Sequence, residues 1–308
     1  MLKPPRLRPG DRIAVVAPAS SFQREEFDKG VQELQELGFE PVFDDTVFAR
    51  HAGYVAGTGS LRAQAFLGAW RDPSVKALVA VRGGFGSVHV LPLLDREDLR
   101  RTPKAFIGYS DLTTVLTYLT TLHGIVSFHG PMLDRRLGRG VEGYDRDSFV
   151  RALTRAEPLG ELGGATLEAF RPGEASGPLM GGTLAQLVAS LGTPYAFKPP
   201  QGHILFLEDA GERPYRLDRM LTQLHLAGVV DSASAIVLGE FKDCDEPRGE
   251  PSAKGVLAAL LKNFEGPVVY GFPSGHTTAP FVTLPFGVRA RVVANGRSRL
   301  IIEEAGVE

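Results

Sequence analysis

Ser110 closes the apolar run 105–109 (AFIGY) and precedes an apparent helix that starts at Asp111 or Leu112. A serine at a sharp strand-to-helix turn projects its hydroxyl out of the sheet, as in a nucleophile elbow. The helix start behind it offers a free backbone N–H, that of Asp111, to a developing oxyanion. The same position suits a plain serine N-cap, the commoner use, and GYSDL departs from the GxSxG pattern. A second loop, Arg82-Gly83-Gly84-Phe85-Gly86, ends another apolar run, 75–81. Its glycines let backbone approach a substrate, so Gly83 or Gly84 could supply a second oxyanion donor; the alternative is a tight turn without a ligand. Acyl transfer also needs a base and a carboxylate to orient it. His276 lies in the turn-rich stretch PSGHTTAP between two apolar runs, placed to act as a general base, or else as an exposed loop residue. Glu208 ends the run HILFLE, with Asp209 as its rival. His129 also ends a strand and could line the same cleft or cap that strand, whereas His203 starts a strand and is expected at the opposite edge.

Other chemistries find less support. There is no HExxH pair, no CxxC and no GxxxxGK[ST], and the glycine loop does not fit GxGxxG. The single Cys244 excludes an intramolecular disulfide and a cysteine-based zinc cluster. No metal site and no cofactor is expected. With 34 Lys+Arg against 36 Asp+Glu the net charge is −2, which gives no field for a polyanion and argues against nucleic acid. No run approaches the ~18 apolar residues that span a bilayer. The start MLKPPRLRPGD is basic and proline-rich without a long apolar region, so no membrane partner and a cytoplasmic location are expected.

These residues must be positioned by regular elements. In the first half, short β-branched runs at 12–18, 75–81, 105–109 and 125–128 alternate with amphipathic stretches at 25–37, 61–70 and 113–122. That rhythm predicts a mostly parallel open sheet with helices on both faces. Residues 133–176 break it with charge clusters and glycines and one modest helix near 147–156. In the second half, helices at 182–191, 215–226 and 252–261 alternate with runs at 203–208, 235–239 and 268–272. Runs at 281–286, 288–294 and 300–303 then follow without helices, with Asn295-Gly296 as a hairpin turn. The expected fold class is α/β: an N-terminal domain over 1–135 carrying Ser110, a linker or crossing segment over 136–176, and a C-terminal α+β domain over 177–308 that ends in antiparallel hairpins and carries Glu208 and His276.

Taken in order, the motifs resemble the LD-carboxypeptidases, the serine peptidase family that also includes the microcin self-immunity peptidases. The resemblance runs nearly end to end, through GDRIAVVAP at 10–18, RGGFG at 82–86, FIGYSD at 106–111, HGPM at 129–132 and GGTL at 181–184. It continues through LED at 207–209, Pro214-Tyr215, GEF at 239–241, GFP at 271–273 and Gly275-His276. It implies a Ser–Glu–His triad of Ser110, Glu208 and His276, with an oxyanion hole from the backbone of Asp111 and a glycine of the loop, Gly84 being favoured. It further implies a metal-free homodimeric enzyme, with its site between two domains, that removes the terminal D-alanine of murein tetrapeptides during cytoplasmic cell-wall recycling. The family loop commonly reads RGGYG, so Phe85 removes one hydroxyl. The small peptide substrate would end in a free carboxylate, for which Arg82, beside Gly83, is a candidate partner, a surface salt bridge being its other reading. Two alternatives stand beside this one: a microcin-immunity-type hydrolase of peptidyl-nucleotide antibiotics, and a non-catalytic ligand-binding α/β protein. The nucleotide reading wants an aromatic platform, and the only tryptophan, Trp70, is expected to pack the core.

Overall fold

The computed structural model describes residues 1–94 and 96–308. The first apolar runs become β1 (Arg12–Val16), β2 (Glu40–Val42), β3 (Val75–Ala80), β4 (Ala105–Gly108) and β5 (Ser127–His129). Between them lie α1 (Arg24–Glu36), α2 (Gly59–Arg71), α3 (Arg96–Arg101) and α4 (Thr113–Thr117), the last continuing as a π-helical turn over Tyr118–Leu122. The strands stand in the order β2-β1-β3-β4-β5, all parallel. Every residue of β4 and β5 is buried, as expected for strands covered on both faces. The chain passes from β1 to one flank and from β3 to the other, so the strand order reverses between them. A crevice opens at the carboxyl ends of the strands at such a switch point. The glycine loop follows β3 and Ser110 follows β4, so both emerge along that edge.

The second unit starts earlier than expected. After α5 (Arg146–Thr154), part of the stretch read as a linker forms the long strand β6 (Gly160–Arg171). Then come β7 (Glu174–Thr183), α6 (Leu184–Ser190), β8 (His203–Glu208), α7 (Pro214–Leu226), β9 (Ala233–Leu238), α8 (Ala253–Leu260), β10 (Val268–Tyr270), β11 (Leu284–Phe286), β12 (Arg289–Val293) and β13 (Ser298–Ile302). Strands β7 to β10 run parallel, joined through α6, α7 and α8. β12 and β13 form the antiparallel hairpin and, with β6, close a barrel in the order β10-β6-β13-β12-β7-β8-β9. β6 escapes a local reading because both its partners, β10 and β13, lie far along the chain. β11 does not join the hairpins: it pairs antiparallel with β5, Leu284 opposite His129, as the sixth strand of the first sheet. The tail also returns, Glu308 N–H donating to Pro4 O at 3.1 Å. The units are therefore interleaved rather than consecutive.

Side-chain alternation on the parallel barrel strands feeds two cores. Leu205, Leu207, Ile236 and Leu238 pack with Leu217, Leu221 and Leu257 of the covering helices. Ile204, Phe206, Val237 and Val269 point the other way and join one core with Ile107 and Phe128 of the first sheet. Each such fully buried side chain contributes about 1.5–3 kcal/mol. The shared core fixes the carboxyl ends of the two sets of parallel strands against each other.

Candidate active site

Ser110 adopts φ +62°, a left-handed conformation that a serine holds only where its surroundings enforce it. It opens a 3-10 turn over Ser110–Leu112 that leads into α4. Its hydroxyl makes no capping hydrogen bond, and Oγ has no hydrogen-bond partner among the described residues, so the N-cap reading does not hold. Gly83 lies directly against it. A Cβ at Gly83 would stand 2.9 Å from Ser110 Cβ, 3.2 Å from Oγ and 3.3 Å from the Asp111 nitrogen. Only glycine fits there.

The glycine loop is held from both sides. Ser20 N–H donates to Gly83 O at 3.1 Å, and Ser20 Oγ accepts from Phe85 N–H at 3.0 Å. Because a trans peptide sets C=O and N–H on opposite sides, the bond to Gly83 O turns the Gly84 N–H away from Ser20. The Asp111 carboxylate accepts from Ser87 N–H at 2.9 Å, while Ser87 Oγ donates to Asp111 O at 2.7 Å. Burial raises the Asp111 pKa against those donors and the charge of Arg62. Arg62, 4% exposed, donates from Nη1 to Gly86 O at 2.7 Å and from Nε to Gly57 O at 3.1 Å, tying the loop to its neighbours. Arg82 pairs with the buried Asp134 at 3.3 Å and keeps a third of its side chain exposed, so its salt-bridge reading is realised in this structure.

Glu208 and Asp209 part ways at the end of β8. Glu208, 1% exposed, accepts from His276 Nδ1 at 2.8 Å and from the His276 backbone N–H at 2.8 Å, both on Oε2. Its other oxygen accepts from Thr183 Oγ1, and Thr183 N–H in turn donates to Thr113 Oγ1 at 3.1 Å. Thr113 lies three residues after Ser110, so this chain of hydrogen bonds links the helix behind Ser110 to the carboxylate. Burial pushes Glu208 up, but the imidazole beside it and the bonds it accepts hold its pKa at about 2. Asp209 instead accepts from Ala185 N–H at 2.8 Å near the start of α6, and burial next to Glu208 pushes it up to about 7. Gly275 is required beside the pair: it sits at φ +88°, and a Cβ there would fall 2.4 Å from Glu208 Oε2. Burial pulls His276 down, yet the Glu208 charge and hydrogen bond outweigh it, and its pKa is raised above the ordinary imidazole value.

His276 lies against the residue next to Ser110, at the junction of the two units. The imidazole packs edge-on against Tyr109, the residue before Ser110, with ring centroids 5.2 Å apart. No direct Ser110–His276 hydrogen bond is present among the described residues; such contacts often close only around substrate. The other histidines differ. His129 is fully buried, stacked on Phe281 at 5.3 Å and beside Phe206 at 5.2 Å, with neither ring nitrogen hydrogen-bonded among the described residues; burial drives its pKa to about 4. It neither lines an open cleft nor caps its strand. His203 lies at the start of β8, away from this edge, as expected. Trp70 is buried and donates from Nε1 to Leu99 O at 3.3 Å. No group of three or more His, Cys, Asp or Glu among the described residues could hold a metal ion, and no helix among them is long and apolar enough to cross a membrane.

Several contributors escaped the sequence reading. Thr183 stands in the GGTL motif but carries no mark of its role. Glu240, just after β9, accepts from Thr277 Oγ1 and, at 2.8 Å, from Thr278 N–H, bracing the loop of His276. Arg136, in a charge cluster read as linker, donates to Gly275 O and to Thr277 O, each at 2.9 Å.

The sequence profile of the LD-carboxypeptidase N-terminal domain matches residues 13–130, and that of the LD-carboxypeptidase C-terminal domain matches residues 176–292. A protein of Bacillus subtilis named "Probable murein peptide carboxypeptidase" is 34% identical over 99% of this chain and 95% of its own length. Among solved structures, the microcin C7 self-immunity protein MccF superposes with a TM-score of 0.91 at 27% identity, covering 100% of both chains. The muramoyltetrapeptide carboxypeptidase of Oxalobacter formigenes superposes with a TM-score of 0.82 at 30% identity, over 94% of this chain and 97% of its own.

Proposed function

The chain belongs to the LD-carboxypeptidase family, and from that premise we propose that it is a serine carboxypeptidase that hydrolyses the amide between an L-configured centre and the terminal D-alanine of murein tetrapeptides. The observation that carries the reading is the buried Glu208 bonded to His276, whose ring rests on the residue preceding a strained, uncapped Ser110. In this mechanism Ser110 Oγ attacks the scissile carbonyl while His276 Nε2 takes the hydroxyl proton, and Glu208 holds Nδ1 protonated. The tetrahedral oxyanion is met by the backbone N–H groups of Asp111 and Gly84, with Gly83 kept bare to admit it. Collapse expels D-alanine, whose nitrogen receives the proton from His276. Water, deprotonated by the same imidazole, then attacks the acyl-serine, and collapse releases the shortened peptide as His276 returns the proton to Ser110 Oγ. Arg82 is the proposed partner of the substrate's terminal carboxylate, exchanging or sharing Asp134. The enzyme works as a homodimer in the cytoplasm, without a metal or cofactor.

A second reading, an amide hydrolase of the microcin-immunity type acting on peptidyl-nucleotides, is favoured by one observation. Tyr54 and, on the glycine loop, Phe85, 53% and 47% exposed, stand with ring centroids 5.9 Å apart and could take a flat base. A non-catalytic anion-binding protein would have no use for the Glu208–His276 pair.

The test is D-alanine release from a purified murein tetrapeptide with chelator present, comparing wild type with Ser110→Ala. Release by the wild type alone supports the peptidase. Release by neither folded protein, with cleavage of a peptidyl-adenylate by the wild type, supports the second reading. Ligand binding unchanged in Ser110→Ala with no turnover of either substrate supports the third.

A further inference from the structure

The two halves of the proposed catalytic pair arrive from different units, and no hydrogen bond joins them directly. Something must set their register to within a fraction of an ångström, because a 1 Å misplacement alone can cost ~10²-fold in rate. Glu240, just after β9, braces the 275–278 loop from the barrel side only. The Arg136 side chain comes from the segment between the units. Its Nη2 donates to Gly275 O and Thr277 O, the carbonyls on either side of His276, each at 2.9 Å, and Nη1 donates to Gly143 O at 3.2 Å. The same guanidinium lies 5.9 Å from the Tyr109 ring centroid and 5.6 Å from that of Phe281. It therefore touches the residue before the nucleophile and both peptide carbonyls that frame the base.

We infer that Arg136 is a positioning residue for the reaction: its planar fork locks the His276 loop in register with the Ser110 elbow across the junction of the two units. The inference rests on Ser110 and His276 being the catalytic pair. A guanidinium suits the task because one planar group reaches three carbonyls at once, which a lysine ammonium on its flexible stem does not reproduce. The charge has a second consequence. The titratable and charged groups around His276 are Glu208 and Asp209 at the end of β8, His129 on β5, Tyr109 after β4, and Arg136. Among these Arg136 works against imidazolium formation, countering the two carboxylates that favour it.

The test compares wild type, Arg136→Met, Arg136→Lys and Ser110→Ala in pH profiles of kcat and KM on the tetrapeptide, with melting temperatures alongside. Arg136→Met should lower kcat by ~10²-fold with KM nearly unchanged, and should move the acidic limb of kcat/KM to higher pH. Arg136→Lys, which keeps the charge, should lose part of kcat and leave that limb in place. If Arg136→Met does not fold, the lysine variant still decides through its kcat. Normal kcat with an unmoved limb in the folded variants would overturn the inference, as would a rise in KM at constant kcat, which marks a substrate contact. Activity surviving in Ser110→Ala would overturn the underlying reading instead, and so the two failures are distinct.

Discussion

One carboxylate oxygen of Glu208 takes both the side-chain Nδ1–H and the backbone N–H of His276, each at 2.8 Å. The ring and its own main chain are thus pinned to one atom, which settles the tautomer and leaves Nε2 free for the serine side.

Replacing that carboxylate by an amide of the same shape tests the arrangement. Glu208→Gln should fold but lose ~10³–10⁴-fold in kcat, because the amide can present the wrong partner to Nδ1. In the wild type, kcat/KM should fall on the acid side with a midpoint above 6.5, since His276 is raised from that value and must be neutral to act as a base. A midpoint at or below 6.5 in the free enzyme would contradict the pairing.

Gly83 offers a test of close approach. Gly83→Ala places a methyl 2.9 Å from Ser110 Cβ, so the elbow must shift, and kcat should fall by ~10²-fold at little cost in melting temperature. Gly68, exposed on α2 with nothing within 4 Å of a methyl added there, is the matching control. Gly68→Ala should leave turnover intact and stabilise the fold by about 0.5–1 kcal/mol.

For Arg82, the readout is the substrate's carboxyl end. Tetrapeptide with a C-terminal amide should be a poor substrate for the wild type. Arg82→Ala should raise KM for the free acid and narrow the difference between acid and amide. Equal losses on both substrates would assign Arg82 to its ion pair with Asp134 alone.

His129 makes stability depend on pH. Its pKa is held near 4 in the fold against 6.5 for an ordinary imidazole, so the unfolded chain binds the proton first as pH falls. The contribution is complete above ~6.5 and is lost progressively toward ~4. His203, also held near 4, acts in the same direction. Denaturant titrations across that window should show stability falling with acid, and His129→Phe should flatten the slope by one proton's share. An unchanged slope would mean that the buried ring titrates normally.

The elements around the site were largely legible locally. Continuous apolar runs read as parallel strands because burial on both faces leaves no alternation, and Ser110, Glu208 and His276 each end such a run, follow it or sit in the loop after it. Ordered motifs carried the family resemblance that joined the three into one site. Local pattern could not choose between a cap and an elbow for Ser110, because a cap and a strained nucleophile begin with the same residue types. That was decided by the left-handed φ of Ser110 and its uncapped hydroxyl, with Gly83 of another loop packed close beside it. Strand-end position favours Glu208 over its rival Asp209, and in the fold opposite side-chain directions send the first to His276 and the second to Ala185. β6, the pairing of β11 with β5, Arg136 and Thr183 share one reason for being missed. Their partners are distant in sequence, and a contact between remote segments leaves no period or spacing to read. The tertiary structure alone brings Arg136 to the carbonyls beside His276, and closes the chain of hydrogen bonds from Thr113 through Thr183 to Glu208.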